Sequence, residues 1–377
     1  MEKANIIGLD LAKRAFQAHG ALTDGGVGFR KTLSRKQVLA FFAGQPRCVV
    51  AMEACGSAHH WGRAIGKLGH EVRLIPAAYV KPFVKRQKND AADAEAIAEA
   101  ASRPTMRFVA VKTEDKQARA MLFRTRDILV RQRTQLINAL RGHLAEHGVV
   151  APQGPANVKI LMAAVESETT SLPLLVVELA RVLLDQVDGL SKRIGELEKA
   201  TVDEAGRGAT TRRLQTLPGV GPITAMAIES FAPPMTAFKR GRDFSAWLGL
   251  VPRQHSTGGK QVLGKTSKMG QRDIRRLLIA GAIAIVRWAS RKDAAEGTWL
   301  HRMLARKPRM LVAIALANTA AGHEPEALGT PVRRPSRPSA FAPPPRSSAG
   351  RRPPLARTGS RAGRVRQRRI RSPRPRR

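Results

Sequence analysis

Two short apolar runs that each end on an acid constrain this chain most. Asn5–Asp10 (NIIGLD) and Cys48–Glu53 (CVVAME) carry no charge before their final residue, the pattern of strands buried on both faces. If the two strands are neighbours, Asp10 and Glu53 converge at one edge of a sheet. Arg14–Ala21 and Gly26–Leu33 can pair with the first run as strands. Ser34 then stands where an N-cap would open the amphipathic stretch SRKQVLAFFAG.

A helix over His59–Leu68, a strand over Val72–Pro76 and a helical stretch from near Asp90 complete this region. Three strands, helix, strand, helix, strand, helix is the order of a ribonuclease-H-like domain. From Glu114 to about His147 apolar residues recur at three and four, among them Ala118, Leu122, Leu129, Leu136, Leu140 and Leu144, with six arginines interleaved. Leu174–Glu204 repeats the pattern in near-heptad register. Two long helices joined through Pro152–Pro155 predict an antiparallel coiled-coil spacer or a dimer seam. The fold class expected is therefore α/β plus all-α. An α/β domain spans 1–108, a long-helix spacer 109–208, a helical C-terminal domain 209–321 and a disordered tail 322–377.

The acids carry the chemical argument. Asp90 and Asp93, in KNDAADAEAIAEA, stand three apart on a helix and point the same way. Together with Asp10 and Glu53 they would repel one another unless a divalent cation held them. Magnesium (Mg2+) prefers hard oxygen ligands, and paired ions about 4 Å apart can clamp the attacking and leaving oxygens of a phosphodiester. Each acid also has a plain structural reading: an Asp after a strand is a common turn residue, and Asp90 is a fair N-cap.

Further along, Leu217-Pro218-Gly219-Val220-Gly221-Pro222 has the form of a helix-hairpin-helix turn. Its glycines Gly219 and Gly221 would let backbone amides approach a phosphate, although such a turn also serves as a tight connector. Downstream, Lys265, Lys268, Arg272, Arg275 and Arg276 surround the start of a helix near Gln271 and could line a phosphate-binding face; the alternative is a solvated basic helix end. Ser256, in His255-Ser256-Thr257-Gly258-Gly259, is a loop hydroxyl that could serve as a nucleophile or simply form a turn.

Charge narrows the partner. The chain of 377 residues has 66 Lys and Arg against 29 Asp and Glu, a net +37. That excludes an ordinary metabolic enzyme and favours a polyanion, nucleic acid before an acidic membrane surface. Residues 331–377 hold 16 arginines, no lysine and no acid; without them 50 basic residues still face 29 acids, so the body keeps +21. The same tail holds ten of the 24 prolines and too few aliphatics to offset its ordering entropy. Its abrupt start after about Thr319 reads as a shift of reading frame in a GC-rich gene. The longest apolar runs, Leu277–Val286 and Leu311–Ala317, are half or less of the ~20 residues a membrane span needs. Two cysteines, Cys48 and Cys55, imply no disulfide framework and fit a reducing cytoplasm. The opening MEKANIIGLD suggests neither a signal nor a transit peptide.

Taken in order, these segments resemble a known family, the bacterial insertion-sequence transposases of the IS-one-ten / IS-eleven-eleven type. The resemblance runs from about Ile6 to Asn318. It is carried by GLDLAK, by VVAMEACGSAHHWGRAIGKLGHEVRLIPAAYVKPFVKRQKNDAADAEAIAEAA, and by ALRGHLAEHG, LQTLPGVGPITAMAIE, FSAWLGLVPRQHSTGGK and LGKTSKMGQRDIRRLLI. It implies a RuvC-like N-terminal domain whose DEDD tetrad falls on Asp10, Glu53, Asp90 and Asp93. It also implies a C-terminal domain whose serine links covalently to DNA. Ser256 matches that position best, though this chain reads Ser-Thr-Gly-Gly where the family reads Ser-Gly, so Ser267 stands as a second candidate. The resemblance further implies a structured guide RNA that pairs with donor and target DNA, and a homo-oligomer, dimer or tetramer, whose composite site joins the acids of one subunit to the serine of another. Two other classes share parts of this pattern. A Holliday-junction resolvase would use water as nucleophile, and a non-catalytic nucleic-acid-binding protein would need none of the acids.

Overall fold

The computed structural model describes residues 4–85, 89–169, 171–292 and 296–327. Five strands form one sheet: β1 (Ile6–Asp10), β2 (Ala15–Ala21), β3 (Val27–Ser34), β4 (Val49–Glu53) and β5 (Glu71–Ile75), in the order β3-β2-β1-β4-β5. β2 lies antiparallel to β1 and to β3, whereas β4 runs parallel to both β1 and β5. The two apolar runs are therefore adjacent central strands, with Leu9 opposite Met52. Helix α1 (Val38–Ala43) follows β3, α2 (Ala58–Lys67) follows β4, and a short α3 (Ala77–Val80) with a 3-10 turn leads to α4 (Asp90–Ser102).

The strand pleat sorts side chains between two cores. Ile7, Leu9, Val50 and Met52 pack with Phe42, Trp61 and Ile65 of α1 and α2. The opposite parity, Ile6 and Ala51, packs with Ala96, Ile97, Ala100 and Ala101 of α4. Asp10 and Glu53 share that second parity and stand on the α4 face.

Two expected caps are corrected. Ser34 is the last residue of β3, not an N-cap: its backbone N–H and hydroxyl both donate to the Gln37 side-chain oxygen, and the helix begins only at Val38. Asp90 is the first helical residue of α4; the cap is Asn89, whose side chain accepts from the Ala91 N–H at 3.0 Å.

The rest is helical. The long α5 (Glu114–Ala145) and, after α6 (Val158–Glu166), α7 (Leu174–Arg207) pack together. Arg119 pairs with Glu204 at 2.8 Å, Arg126 with Glu198, and the Arg133 guanidinium donates to Ser191 at 3.2 Å. Numbers rise on one helix as they fall on the other, so the pair is antiparallel, and Leu140 and Leu144 meet Val177 and Ala180 near its far end. Then follow α8 (Ala209–Leu214), α9 (Pro222–Phe231), α10 (Gly241–Trp247), a hairpin of β6 (Pro252–Gln254) and β7 (Leu263–Thr266), α11 (Arg272–Ala289), α12 (Trp299–Leu304) and α13 (Arg309–Ala327).

Their core takes in Phe123 of α5 along with Phe244, Ile274, Leu278, Val312 and Ala317. The spacer thus shares a core with the C-terminal helices. α13 continues past the expected limit at 321, with Ala320 and Ala321 buried, to Ala327. The Arg/Pro-rich tail from 328 lies outside the described residues. Among those described, no helix is long and apolar enough to cross a membrane.

Candidate functional site

The carboxylates of Asp10, Asp90 and Asp93 come together: their oxygens lie within 4.8 Å of one another. β1 delivers Asp10 at its carboxyl end, and the first turn of α4 delivers Asp90 and Asp93. Glu53 ends the neighbouring strand β4; it lies outside that tight trio but its charge acts on Asp10. Burial, followed by the charges of Asp93, Asp90 and Glu53, pushes the Asp10 carboxyl up to about 6 from an ordinary 3.8, against a lowering hydrogen bond from the Leu11 N–H. The N-terminal end of α4 partly offsets the negative charge.

Among the described residues no ion pair engages any of these four acids, although the chain is strongly cationic. Three converging hard oxygen donors with a fourth carboxylate alongside are a donor set that fits a magnesium-class cation.

Ser256 sits on an exposed hairpin. Thr257 and Lys260 exchange backbone hydrogen bonds at 3.3 and 3.0 Å, and Gly258 and Gly259 between them have φ of +54° and +74°. Both central residues of this turn need left-handed backbone, which explains Thr-Gly-Gly-Lys. The Ser256 hydroxyl accepts from the Gln254 side-chain amide at 3.0 Å and is exposed. Ser267 directly follows β7 and is half-buried, its N–H donating to the Val251 carbonyl at 2.8 Å.

The basic residues divide. Lys265, Lys268 and Arg272 are exposed and enter no ion pair with a described residue. Arg275 donates from one nitrogen to the Leu248 and Met269 carbonyls, and Arg276 pairs with the buried Asp127 of α5 at 2.5 Å. In the glycine turn, Gly219 lies against Gly281 of α11, whereas a side chain at Gly221, the residue before Pro222 at the start of α9, would meet open space. Gly219 therefore serves helix packing in this structure, and Gly221 leaves the α9 N-terminus uncovered. Sequence spacing gave no sign of Asp127 or of the Arg124–Asp273 pair at 2.7 Å. Gly8, two residues before Asp10, was visible in the motif, but its contact with α4 was not.

Comparison with known proteins bears on both regions. Residues 7–148 match a model of IS110-type DEDD sequences described as transposase, and residues 211–296 match the model of the IS116/IS110/IS902 transposase family. A probable family 20 transposase of Pseudomonas aeruginosa is 48% identical over 314 residues, 83% of this chain and 93% of that protein. The transposase for insertion sequence element IS1328 of Yersinia enterocolitica is 41% identical, covering 84% of this chain and 95% of its own length. That for IS1111A of Coxiella burnetii is 38% identical over 84% and 88% respectively.

Proposed function

Because the chain belongs to the IS116/IS110/IS902 family of insertion-sequence transposases, we propose that it cuts and rejoins DNA through a serine–DNA intermediate, with Asp10, Glu53, Asp90 and Asp93 holding magnesium in a RuvC-like domain. The observation that carries this reading is the convergence of Asp10, Asp90 and Asp93 on one point. Bound there, magnesium would supply Lewis-acid polarisation of the scissile phosphate and neutralise the charge that develops on the leaving oxygen.

The protein's own groups do the rest. The Ser256 oxygen attacks phosphorus, its proton passing to solvent; the bond from phosphorus to the 3′ oxygen breaks, and that oxygen leaves as a hydroxyl after protonation. Reversal by a free 3′ hydroxyl of another strand rejoins the DNA. One phosphoester replaces another, so no external energy source is needed. Ser267 is the second candidate for the nucleophile.

Lys265, Lys268 and Arg272 grip phosphates, and the open amide end at Gly221 offers a further phosphate contact. We read a structured guide RNA as the reader of sequence, because delegating recognition to base pairing leaves the protein an electrostatic task suited to a body of +21 in a chain with only 4% aromatic residues. Leu175, Leu179 and Val182 form an exposed apolar strip at helical spacing on α7, which supports a homo-oligomer seamed along the long helices.

Ser256→Ala should yield no protein–DNA adduct resistant to denaturation, whereas Ser267→Ala should retain it; the converse result moves the nucleophile to Ser267. Nicked products with no adduct from the wild type would instead mark water as nucleophile, the resolvase reading.

Lys268 offers a second test, since among the described residues it is the one non-glycine with positive φ, +55°. A left-handed conformation costs a non-glycine residue on the order of 1 kcal/mol, partly offset against the backbone entropy of glycine. Lys268→Gly is expected to match or exceed wild-type thermal stability while the slope of log affinity for DNA against log salt shrinks by about 0.9. Unchanged slope in a stable variant would remove Lys268 from the phosphate face.

A further inference from the structure

We propose that Arg275 is a positioning residue that closes the base of the Ser256 hairpin, and not a contact to nucleic acid; the inference rests on reading that hairpin as the carrier of the nucleophile. One terminal nitrogen of its guanidinium donates to the Leu248 carbonyl at 2.7 Å and to the Met269 carbonyl at 2.8 Å. Leu248 lies just before the hairpin and Met269 just after it, so a single side chain bridges the incoming and outgoing segments. Both hydrogens of that nitrogen are committed to protein.

The surrounding backbone converges on the same point. The Ser267 N–H donates to the Val251 carbonyl at 2.8 Å and the Lys268 N–H to the Gly249 carbonyl at 3.1 Å. Gly270 lies so close to the Trp247 carbonyl oxygen that a side chain there would collide with it.

The hairpin has little else to fix its direction. Its strands are three and four residues long, and Val262 and Leu263 are exposed. A two-stranded ribbon without an apolar face is marginal in water, so its orientation has to be set from its base. Arg275 is well mounted for that task. The first turns of α11 are fixed on α5 by Arg124–Asp273 at 2.7 Å and by Arg276–Asp127 at 2.5 Å, with Asp127 itself 6% exposed.

Positioning and phosphate contact make opposite predictions for Arg275→Ala in the full chain. On the positioning account, adduct formation at saturating DNA falls by about 10²-fold, amide hydrogen exchange accelerates in 252–268 but not along α11, and the salt slope of DNA binding stays at the wild-type value. Arg275→Lys, which keeps a donor but not the planar fork, is expected to fall between the two. A slope reduced by about 0.9 with wild-type exchange in the hairpin would overturn the proposal. Should Arg275→Ala not fold, Arg275→Lys is read by the same exchange and slope measurements. If the wild type forms no adduct at all, the serine reading fails, and exchange at the hairpin still decides whether Arg275 sets its base.

Discussion

Asp10→Asn is expected to abolish strand cleavage and yet raise the melting temperature of the metal-free protein at neutral pH. The reason is the sign of the electrostatics at the end of β1. Burial and the charges of Asp93, Asp90 and Glu53 push the Asp10 carboxyl up to about 6. The folded state therefore binds this proton more tightly than the unfolded chain does. That stabilising contribution is fully present below the ordinary value of 3.8 and is lost as pH rises through about 6. At pH 7 the folded protein bears the cost of keeping this charge half-buried and beside the other acids, an upper bound of about 3 kcal/mol that partial exposure reduces to about 1–2 kcal/mol.

An amide carries no charge and removes that cost at every pH. The variant should melt a few degrees above wild type at pH 7 and level with it near pH 4. Magnesium reverses the ranking, because binding at a hundred times Kd stabilises the wild type by about 2.7 kcal/mol, and the substitution takes away one of the converging charges. Loss of the several kcal/mol that a metal supplies to the transition state corresponds to at least about 10³-fold in rate. A variant that is less stable than wild type without metal and still cleaves DNA would refute the assignment.

What could be read in advance follows the range of the interactions. NIIGLD and CVVAME were legible as buried strands because an uncharged run with a terminal acid leaves few alternatives; that they are neighbours comes from the sheet order, which places Asp10 and Glu53 at one edge. The spacing of Asp90 and Asp93 is local for the same reason. The capping assignments erred by local competition: Asn89 precedes Asp90 and takes the cap, and Gln37 engages Ser34 before a helix can start there. Arg275 and Arg276 read as candidates for a phosphate-binding face, with a solvated helix end as the alternative, because spacing says nothing about partners far away in sequence. Asp127 lies 149 residues from Arg276, and no periodicity announces such a pairing. The extent of α13 was hidden by composition, since Ala320 and Ala321 are buried by the fold while the sequence around them is turning to low complexity.

Gly8→Ala is expected to destabilise the protein by about 3 kcal/mol or more and to weaken the response to magnesium beyond what the lost stability explains. Gly8 stands in the middle of β1 on the face covered by α4. A β-carbon there would collide with the Ala94 carbonyl oxygen and stand 2.7 Å from the Ala98 nitrogen and 2.9 Å from the Ala98 β-carbon. Two of those three atoms are helix backbone, which cannot rotate away, so α4 itself must shift off the sheet. α4 carries Asp90 and Asp93, and β1 carries Asp10 two residues beyond Gly8, so the shift opens the carboxylate trio. Ala98→Gly will not rescue the variant, because the collisions with the Ala94 oxygen and the Ala98 nitrogen remain. Gly56→Ala, where a side chain would meet nothing within 4 Å, is the control expected to melt with wild type. Thermal melts of the three variants with and without magnesium decide the matter: a Gly8→Ala protein within about 1 kcal/mol of wild type that keeps its full magnesium shift would show that α4 does not set the spacing of the acids. The glycine of GLDLAK is then a condition for the carboxylate cluster, since it admits the helix whose first turn completes what Asp10 begins.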